Sequence, residues 1–315
     1  MRLNKIITVV IPCFKVSKQL HEVLLTVPKF VDHIIVIDGA CPENSGKIAE
    51  ELNQIKTQVI YHKKNQGVGA AMVSGYKKAL ELNSDIIVKL DGDGQMDPSK
   101  INLLVDPIIN QLADYTKGNR FYDFKALKTM PKIRLFGNSF LSFLVKFSSG
   151  YWNMMDPTNG FTAIASEALK NVQLDKLSKR FFFETDMLIR LNIYATVVLD
   201  VPIAARYKDE KSNLNVFNVI LKFPFKIIRD LLNRIFLKYY VFDFNMASIY
   251  LLLSAPLLVF GLGFGLYRWV IGYLQAEENS AGTIMLIALP IILGVQFVLQ
   301  AIQIDIHNIP QKNNS

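Results

Sequence analysis

Residues 85–98 read DIIVKLDGDGQMDP, and the change of character at Asp91 decides the fold. Asp85 to Leu90 is a short, nearly continuous apolar run that stops at turn residues, the pattern of a strand buried on both faces. Asp91-Gly92-Asp93-Gly94-Gln95-Met96-Asp97-Pro98 then sets two carboxylates two residues apart, among glycines that permit a tight turn and the close approach of a ligand. An Asp-x-Asp pair by itself arises about once by chance in a chain of this size. Its place directly after a strand gives this one weight, because hard oxygen donors at such a point suit Mg²⁺ or Mn²⁺.

The same alternation continues upstream. Ile6 to Ile11, His33 to Asp38 and Thr57 to Tyr61 read as further buried strands, with helical patterns near 17–27, 44–54 and 68–82 between them. Strand and helix in such quick succession predict right-handed βαβ units on a parallel sheet, an α/β fold. In open sheets of this kind ligands bind beyond the carboxyl ends of the strands. Cys13 and Lys15, Asp38, Asn65, and Asp91 with Asp93 occupy those ends, so a single polar and acidic crevice is expected.

Beyond about residue 245 the composition shifts. The chain has 315 residues, 51% of them hydrophobic, and the apolar excess collects in this last part. Phe244 to Tyr267 and Asn279 to Ile304 contain no Asp, Glu, Lys or Arg. Each exceeds the roughly 20 apolar residues that cross a bilayer core, and neither shows the polar stripe of a core helix. Two membrane spans are predicted, and Gly261 with Gly265 forms a small-residue pair that would pack spans within one chain or between subunits. Just before them Val216, Val219, Ile220, Phe223, Ile227, Ile228, Leu231, Leu232, Ile235 and Phe236 recur at helical spacing among lysines and arginines. This is the pattern of an amphipathic helix lying in the headgroup plane, with Pro224 expected to split it in two.

Arg206, Lys208, Lys211, Lys222, Lys226, Arg229, Arg234 and Lys238 precede the first span, while the connecting loop carries Glu277 and Glu278. The positive-inside rule puts the large domain and the tail in the cytoplasm, on a plasma or inner membrane. The net charge of +8 then serves anionic headgroups rather than nucleic acid. Ile6 to Ile11 is too short for a signal-peptide core. Cys13 and Cys41, the only cysteines, lack zinc-ligand spacing and read as reduced, structural thiols. The expected organisation is a catalytic domain over 1–211, juxtamembrane helices over 212–243, a two-helix anchor over 244–306 and a cytoplasmic tail over 307–315 without fixed structure.

With these motifs in order, residues 5–212 resemble the family-two glycosyltransferases, specifically their polyprenyl-phosphate (dolichol-phosphate) branch, of which the run D-x-D-x-Q-x-x-P is a specific feature. The resemblance implies a GT-A-type, Rossmann-like domain with a mixed sheet. It implies that Asp91 and Asp93 hold the metal and diphosphate, that Gln95 completes the metal site, and that Asp93 is catalytic. Val9-Val10-Ile11-Pro12 looks like the opening strand and nucleotide loop. Val36-Ile37-Asp38-Gly39 resembles the segment whose aspartate contacts the base, departing from the usual Asp-Asp-Gly-Ser at Ile37 and Ala40. Asn65-Gln66-Gly67-Val68-Gly69 resembles the glycine turn over the nucleotide, although a turn serving only the fold explains it as well. Gly118-Asn119-Arg120-Phe121 is similar to the family's basic segment at the donor, and Arg134 with Asn138 to its acceptor-phosphate contacts.

Asp156-Pro157-Thr158-Asn159-Gly160-Phe161 resembles the acceptor-side loop, and Phe183-Glu184-Thr185-Asp186-Met187 the acidic motif that supplies a catalytic base, through Asp186 or Glu184. Arg206-Tyr207 and Lys211-Ser212 are similar to a mobile basic loop closing on the donor diphosphate and acceptor phosphate. The implied reaction is metal-dependent, inverting transfer of a hexose from a nucleotide sugar, more readily a UDP-sugar, to a polyprenyl phosphate such as undecaprenyl phosphate, feeding cell-surface glycan synthesis.

Two rivals stay open on the sequence. The acceptor could be a hydroxyl of a lipid-linked or capsular saccharide, in which case Asp186 becomes indispensable. Alternatively the chain binds a nucleotide sugar without catalysis and recruits other proteins. A processive synthase fits poorly, because Arg268-Trp269 lacks the glutamine of a Gln-x-x-Arg-Trp motif.

Overall fold

The computed structural model describes residues 4–52, 56–122, 132–203, 216–276 and 278–312. The chain divides into two compact units, one running to Arg234 together with the residues from Pro310, the other Ile235–Ile309.

The first unit is built on a seven-stranded sheet of order β3-β2-β1-β4-β6-β5-β7. The strands are β1 (Ile7–Cys13), β2 (His33–Asp38), β3 (Thr57–Tyr61), β4 (Ile86–Lys89), β5 (Tyr115–Asn119), β6 (Thr162–Ala165) and β7 (Val198–Pro202). Strands β3, β2, β1 and β4 are mutually parallel. β6 runs antiparallel to both β4 and β5, and β7 pairs parallel with β5. The sheet is therefore mixed, as the resemblance implied. Helices α1 (Ser17–Thr26), α2 (Ser45–Glu51), α3 (Val68–Glu81) and α4 (Ile101–Ile109) connect the first five strands, followed by α5 (Lys132–Ser149), α6 (Ser166–Asn171), α7 (Phe183–Ile193) and α8 (Val216–Phe236).

Both sheet faces are covered, which is why the strands read as apolar runs. On one face Ile7, Val9, Ile11, Ile34, Val36, Ile86 and Val88 form a single core with Leu20, Val23 and Leu24 of α1 and Leu104 and Val105 of α4. On the other, Val10 is so close to α3 that a Cβ at Gly75 would overlap its Cγ1. The chain order reverses between β1 and β4, and the turn beginning at Asp91 leaves β4 at that switch point, where ligands of open α/β sheets bind.

Element ends shift from expectation in ways that matter. β1 runs to Cys13, so Pro12 and Cys13 still pair with Ile37 and Asp38 rather than forming a free loop. β5 runs to Asn119, which places Gly118 and Asn119 inside the strand. α8 passes through position 224 without a break. A helical proline forfeits one hydrogen bond and strains one turn, and here the buried seam of Ile227, Asp230 and Arg234 on the following turns keeps the rod continuous. The regular α-geometry gives way only at a π-helical turn, Leu237–Phe242.

The second unit carries α9 (Met246–Gln275) and α10 (Ala281–His307), with mean hydropathies of 2.1 and 2.3 over their most apolar windows. Both are long and apolar enough to cross a membrane. Asn245 caps α9 by accepting from the Ala247 N–H, and Ser248 reciprocates by accepting from the Asn245 N–H. The glycine pair works inside this hairpin: a Cβ on Gly261 would stand 2.7 Å from Ile291 and one on Gly265 2.8 Å from Ile287. Small residues here let two helix backbones approach closely.

Candidate active site

The aspartate turn is held from within. Asp93 Oδ1 accepts the Gln95 N–H at 3.0 Å, Gly94 takes a positive φ of 73°, and Asp97 accepts the Ser99 N–H and hydroxyl at 3.1 and 2.7 Å. Gly92 lies against β1: a Cβ there would meet Val16 at 3.1 Å and Cys13 Sγ at 3.2 Å. A larger residue would push the aspartates away from the strand end that carries Pro12.

Beneath Asp91 is a residue that the motif reading missed. Lys89, 1% exposed, donates to Asp91 Oδ1 at 2.8 Å and to the Gly160 carbonyl at 3.2 Å, and its Nζ lies 3.3 Å from Glu184 Oε1. Burial alone would push this ammonium down, but Asp91 and Glu184 hold it above the ordinary lysine range. A Cβ at Gly160 would overlap Lys89 Nζ and stand 2.9 Å from Asp91 Oδ2. Only glycine at 160 leaves that oxygen open.

Lys89 belongs to a row. Across the sheet it pairs with Thr162 on β6, which pairs with Lys117 on β5, which pairs with Asp200 on β7. Paired residues share a face, so two lysines, a threonine and an aspartate line up on the side of the sheet away from α1 and α4. Lys117 is fully buried and, among the described residues, its Nζ has no hydrogen-bond partner. Burial pushes it down to about 8, against the pull of Glu184 and Asp156. Asp200 is pushed up by the same burial. The signal for both lysines was present in the sequence: a charge inside an otherwise apolar strand is tolerated only when other charges answer it.

The two carboxylates of the Phe183–Met187 motif differ sharply. Glu184 turns to Lys89 and so joins the aspartate turn. Asp186, 2% exposed, accepts from Arg190 Nε at 2.8 Å and from the Ser178 N–H at 2.7 Å. Burial raises its pKa, and Arg190 and Ser178 oppose that rise. Asp186 thus anchors the chain entering α7, and the structure does not bring it to Asp91.

Arg120 is also committed. It grips fully buried Asp156 through Nε at 2.7 Å and Nη2 at 3.0 Å, a two-pronged pair. Asn159 donates to the Gly118 carbonyl at 2.7 Å, so the 156–161 loop is knitted to the end of β5. Arg134 and Asn138 fall on α5, but their side chains lie outside the described residues, as do Arg206, Lys211 and Ser212 altogether.

At the nucleotide end, Asp38 is 3% exposed, its two oxygens taking the Cys41 N–H at 2.7 Å and the Gly46 N–H at 2.8 Å. It braces its own loop, where Ala40 sits at a φ of 59°. Burial would raise the Cys41 thiol, but hydrogen bonds from Ser45 and the Lys15 N–H hold it below the usual range. Asn65 Oδ1 accepts the Gly67 N–H at 2.9 Å, and Gly67 has a φ of 98°. A Cβ at Gly67 or Gly69 would collide with the carbonyls of Lys179 or Ser178. These glycines let α3 meet the segment before α7.

Among the described residues no group of three His, Cys, Asp or Glu side chains could close on a metal by itself. Asp91 through Oδ2, Asp93 and Gln95 offer oxygen donors fitting a hard divalent cation whose remaining ligands come from substrate phosphate.

The model of the family described as glycosyl transferase family 2 matches residues 8–173, more than half the chain. The chain belongs to this family. It is a glycosyltransferase. A UDP-N-acetylglucosamine–dolichyl-phosphate N-acetylglucosaminyltransferase from Methanococcus voltae is 32% identical over 70% of this chain and 93% of its own length. The polyprenol monophosphomannose synthase of Mycolicibacterium smegmatis is 26% identical over 64% of this chain and 78% of its own. Both names fall within the branch that the motifs resemble. Glucosyl-3-phosphoglycerate synthase from Mycobacterium tuberculosis, solved with UDP, superposes with a TM-score of 0.53 at 18% identity, covering 73% of this chain and 80% of that one. This likeness shows the shared GT-A-like fold.

Proposed function

We propose that this glycosyltransferase moves a hexose-type sugar from a UDP-sugar to a polyprenyl phosphate at the cytoplasmic face of the plasma membrane, supplying lipid-linked sugar for cell-surface glycans. The observation that carries the acceptor assignment is the state of the acidic motif. Glu184 is paired with Lys89, and Asp186 with Arg190 and the Ser178 N–H. Neither stands free to take a proton from a sugar hydroxyl. A phosphate monoester has a second pKa near 6 and is largely dianionic at neutral pH, so it attacks without a base. The names of the relatives support a polyprenyl or dolichyl phosphate acceptor, and the UDP of the first supports the donor.

In this reading the donor diphosphate lies over the aspartate turn at the switch point between β1 and β4. Asp91, Asp93 and Gln95 would hold Mg²⁺ or Mn²⁺, which supplies Lewis-acid neutralisation of the leaving diphosphate when bound. Lys89 keeps Asp91 ionised and fixes which of its oxygens faces the crevice. Glycine at 160 keeps the acceptor loop from covering that oxygen. An acceptor phosphate oxygen attacks the anomeric carbon in line, the bond to the diphosphate oxygen breaks, and the configuration inverts. Arg134, Asn138, Lys211 and Ser212 are the residues proposed to receive the acceptor phosphate, and Pro12, Asp38, Asn65, Gly67, Arg120 and Arg206 to shape the donor side. The basic residues before α9 favour the cytoplasmic orientation.

Purified protein in detergent, given radiolabelled UDP- and GDP-sugars and undecaprenyl phosphate with Mn²⁺ or with EDTA, tests this. Chelator-sensitive label in the lipid phase from a UDP-sugar is expected. Label that enters only a saccharide acceptor would replace the phosphate acceptor with a hydroxyl.

A further inference from the structure

We propose that α5 is a membrane-surface contact of the catalytic unit, its aromatic face resting at the boundary between headgroups and acyl chains. The proposal rests on the reading of the chain as membrane-bound. Phe140 and Phe143 are 58% and 53% exposed on this helix. They are not scattered: Phe143 stacks on Phe147 with ring centroids 6.4 Å apart, and both rings meet Trp152 edge-on at 6.1 Å. Positions 140, 143 and 147 share one helical face. A contiguous aromatic patch on a water-facing helix marks a contact surface.

The other side of α5 is anchored. Leu144 packs on the cluster of Phe182, Ile189 and Ile227, the last on α8. α8 in turn leaves Phe225, Ile228 and Leu232 exposed, with Lys226 and Arg229 between them. Two helices tied through one cluster thus turn aromatic and aliphatic side chains outward beside lysine and arginine. Phenylalanine and tryptophan with flanking cations suit a bilayer surface, where rings enter the interface and cations meet anionic headgroups. The chain's own apolar helices bring that surface with them, which is why a bilayer is the occupant proposed.

Trp152 and Trp269 are the only tryptophans, so a Trp269→Phe variant leaves Trp152 as sole emitter. In phosphatidylcholine–phosphatidylglycerol vesicles, lipids brominated close to the glycerol should remove most of its emission, and lipids brominated at the chain ends much less. Emission indifferent to both lipids would overturn the proposal. Trp152→Phe leaves only Trp269, on α9, as the control. Trp269 unaffected by any brominated lipid would sink the membrane reading itself, a result distinct from the failure of α5 alone. Adding Phe140→Ser and Phe143→Ser to the Trp269→Phe background should abolish the shallow quenching while helical content is kept. Undiminished quenching in a folded protein of that kind would assign the contact to another surface.

Discussion

The two halves of the crevice hold their polar side chains by opposite means. On the β1–β3 side, Asp38 and Asn65 bind backbone N–H groups of their own loops, no more than eight residues along the chain. On the β4–β7 side, side chain meets side chain across long stretches of sequence: Lys89 with Glu184, Arg120 with Asp156. The first arrangement shapes a loop and is cheap to disturb. The second brings charges together inside the protein, so removing one leaves another without its partner.

Four measurements bear on that contrast, from the largest expected effect downward. Asp93→Ala removes a carboxylate aimed at the crevice whose only printed internal duty is one turn hydrogen bond. Transfer to lipid should fall by about 10²–10³-fold, the scale of losing one electrostatic stabiliser of the transition state, while circular dichroism stays unchanged. Unaltered transfer would remove the aspartate turn from the mechanism.

Lys89→Met strips the counter-ion from Asp91 and Glu184. Breaking a buried pair from one side costs about 3–5 kcal/mol, to be read as a lowered unfolding midpoint in detergent. Adding Glu184→Gln should return part of that loss, since the two residues share one interaction. A full additive loss would mean that the pair is not coupled.

Lys117 gives a pH signature. With its folded pKa near 8 and an unfolded value near 10.4, both states carry the proton below about pH 8 and the burial penalty is fully present. Above that the unfolded state retains a proton that the folded state has released, so stability rises with pH until about 10. Wild type should therefore gain roughly 1–2 kcal/mol between about pH 7.5 and 9.5 relative to Lys117→Met. Parallel stability curves for the two proteins would contradict this.

The smallest effect belongs to the local half. Ala40→Gly relieves an alanine held at positive φ. A left-handed alanine costs about 1 kcal/mol, partly offset by the extra freedom of glycine in the unfolded chain, leaving a gain of roughly 0.5 kcal/mol in thermal unfolding. A destabilised variant would mean that the Ala40 methyl packs productively.

The contrast also explains what the sequence made legible. The strands β1 to β4, the aspartate turn and the two apolar helices are written in periodicity and in residues a few positions apart, and they stand where they were expected. Glu184 and Asp186 sit in one motif, and nothing local says that the first faces Asp91 through Lys89 while the second closes on Arg190. That depends on where α7 lies against β4, a matter of tertiary packing. Asp38 was taken for a ligand of the nucleotide because it ends a strand, whereas the hydrogen bonds given for its carboxylate go to its own loop. Pro224 was read by its local cost alone, and the buried residues on the turns after it outweigh that cost.

The row from Lys89 to Asp200 has one more consequence, for how the sheet finds its alignment. Side chains alternate along a strand, so a slip of one residue in β5 would carry Lys117 to the opposite face. There Thr116 now donates to the Leu104 carbonyl of α4, among the aliphatic side chains of the main core. A bare ammonium in that company is prohibitive. The same charges that lower the stability of the finished protein therefore penalise misaligned sheets still more, and they act during folding as a check on strand registry in a mixed sheet whose last three strands return from distant parts of the chain.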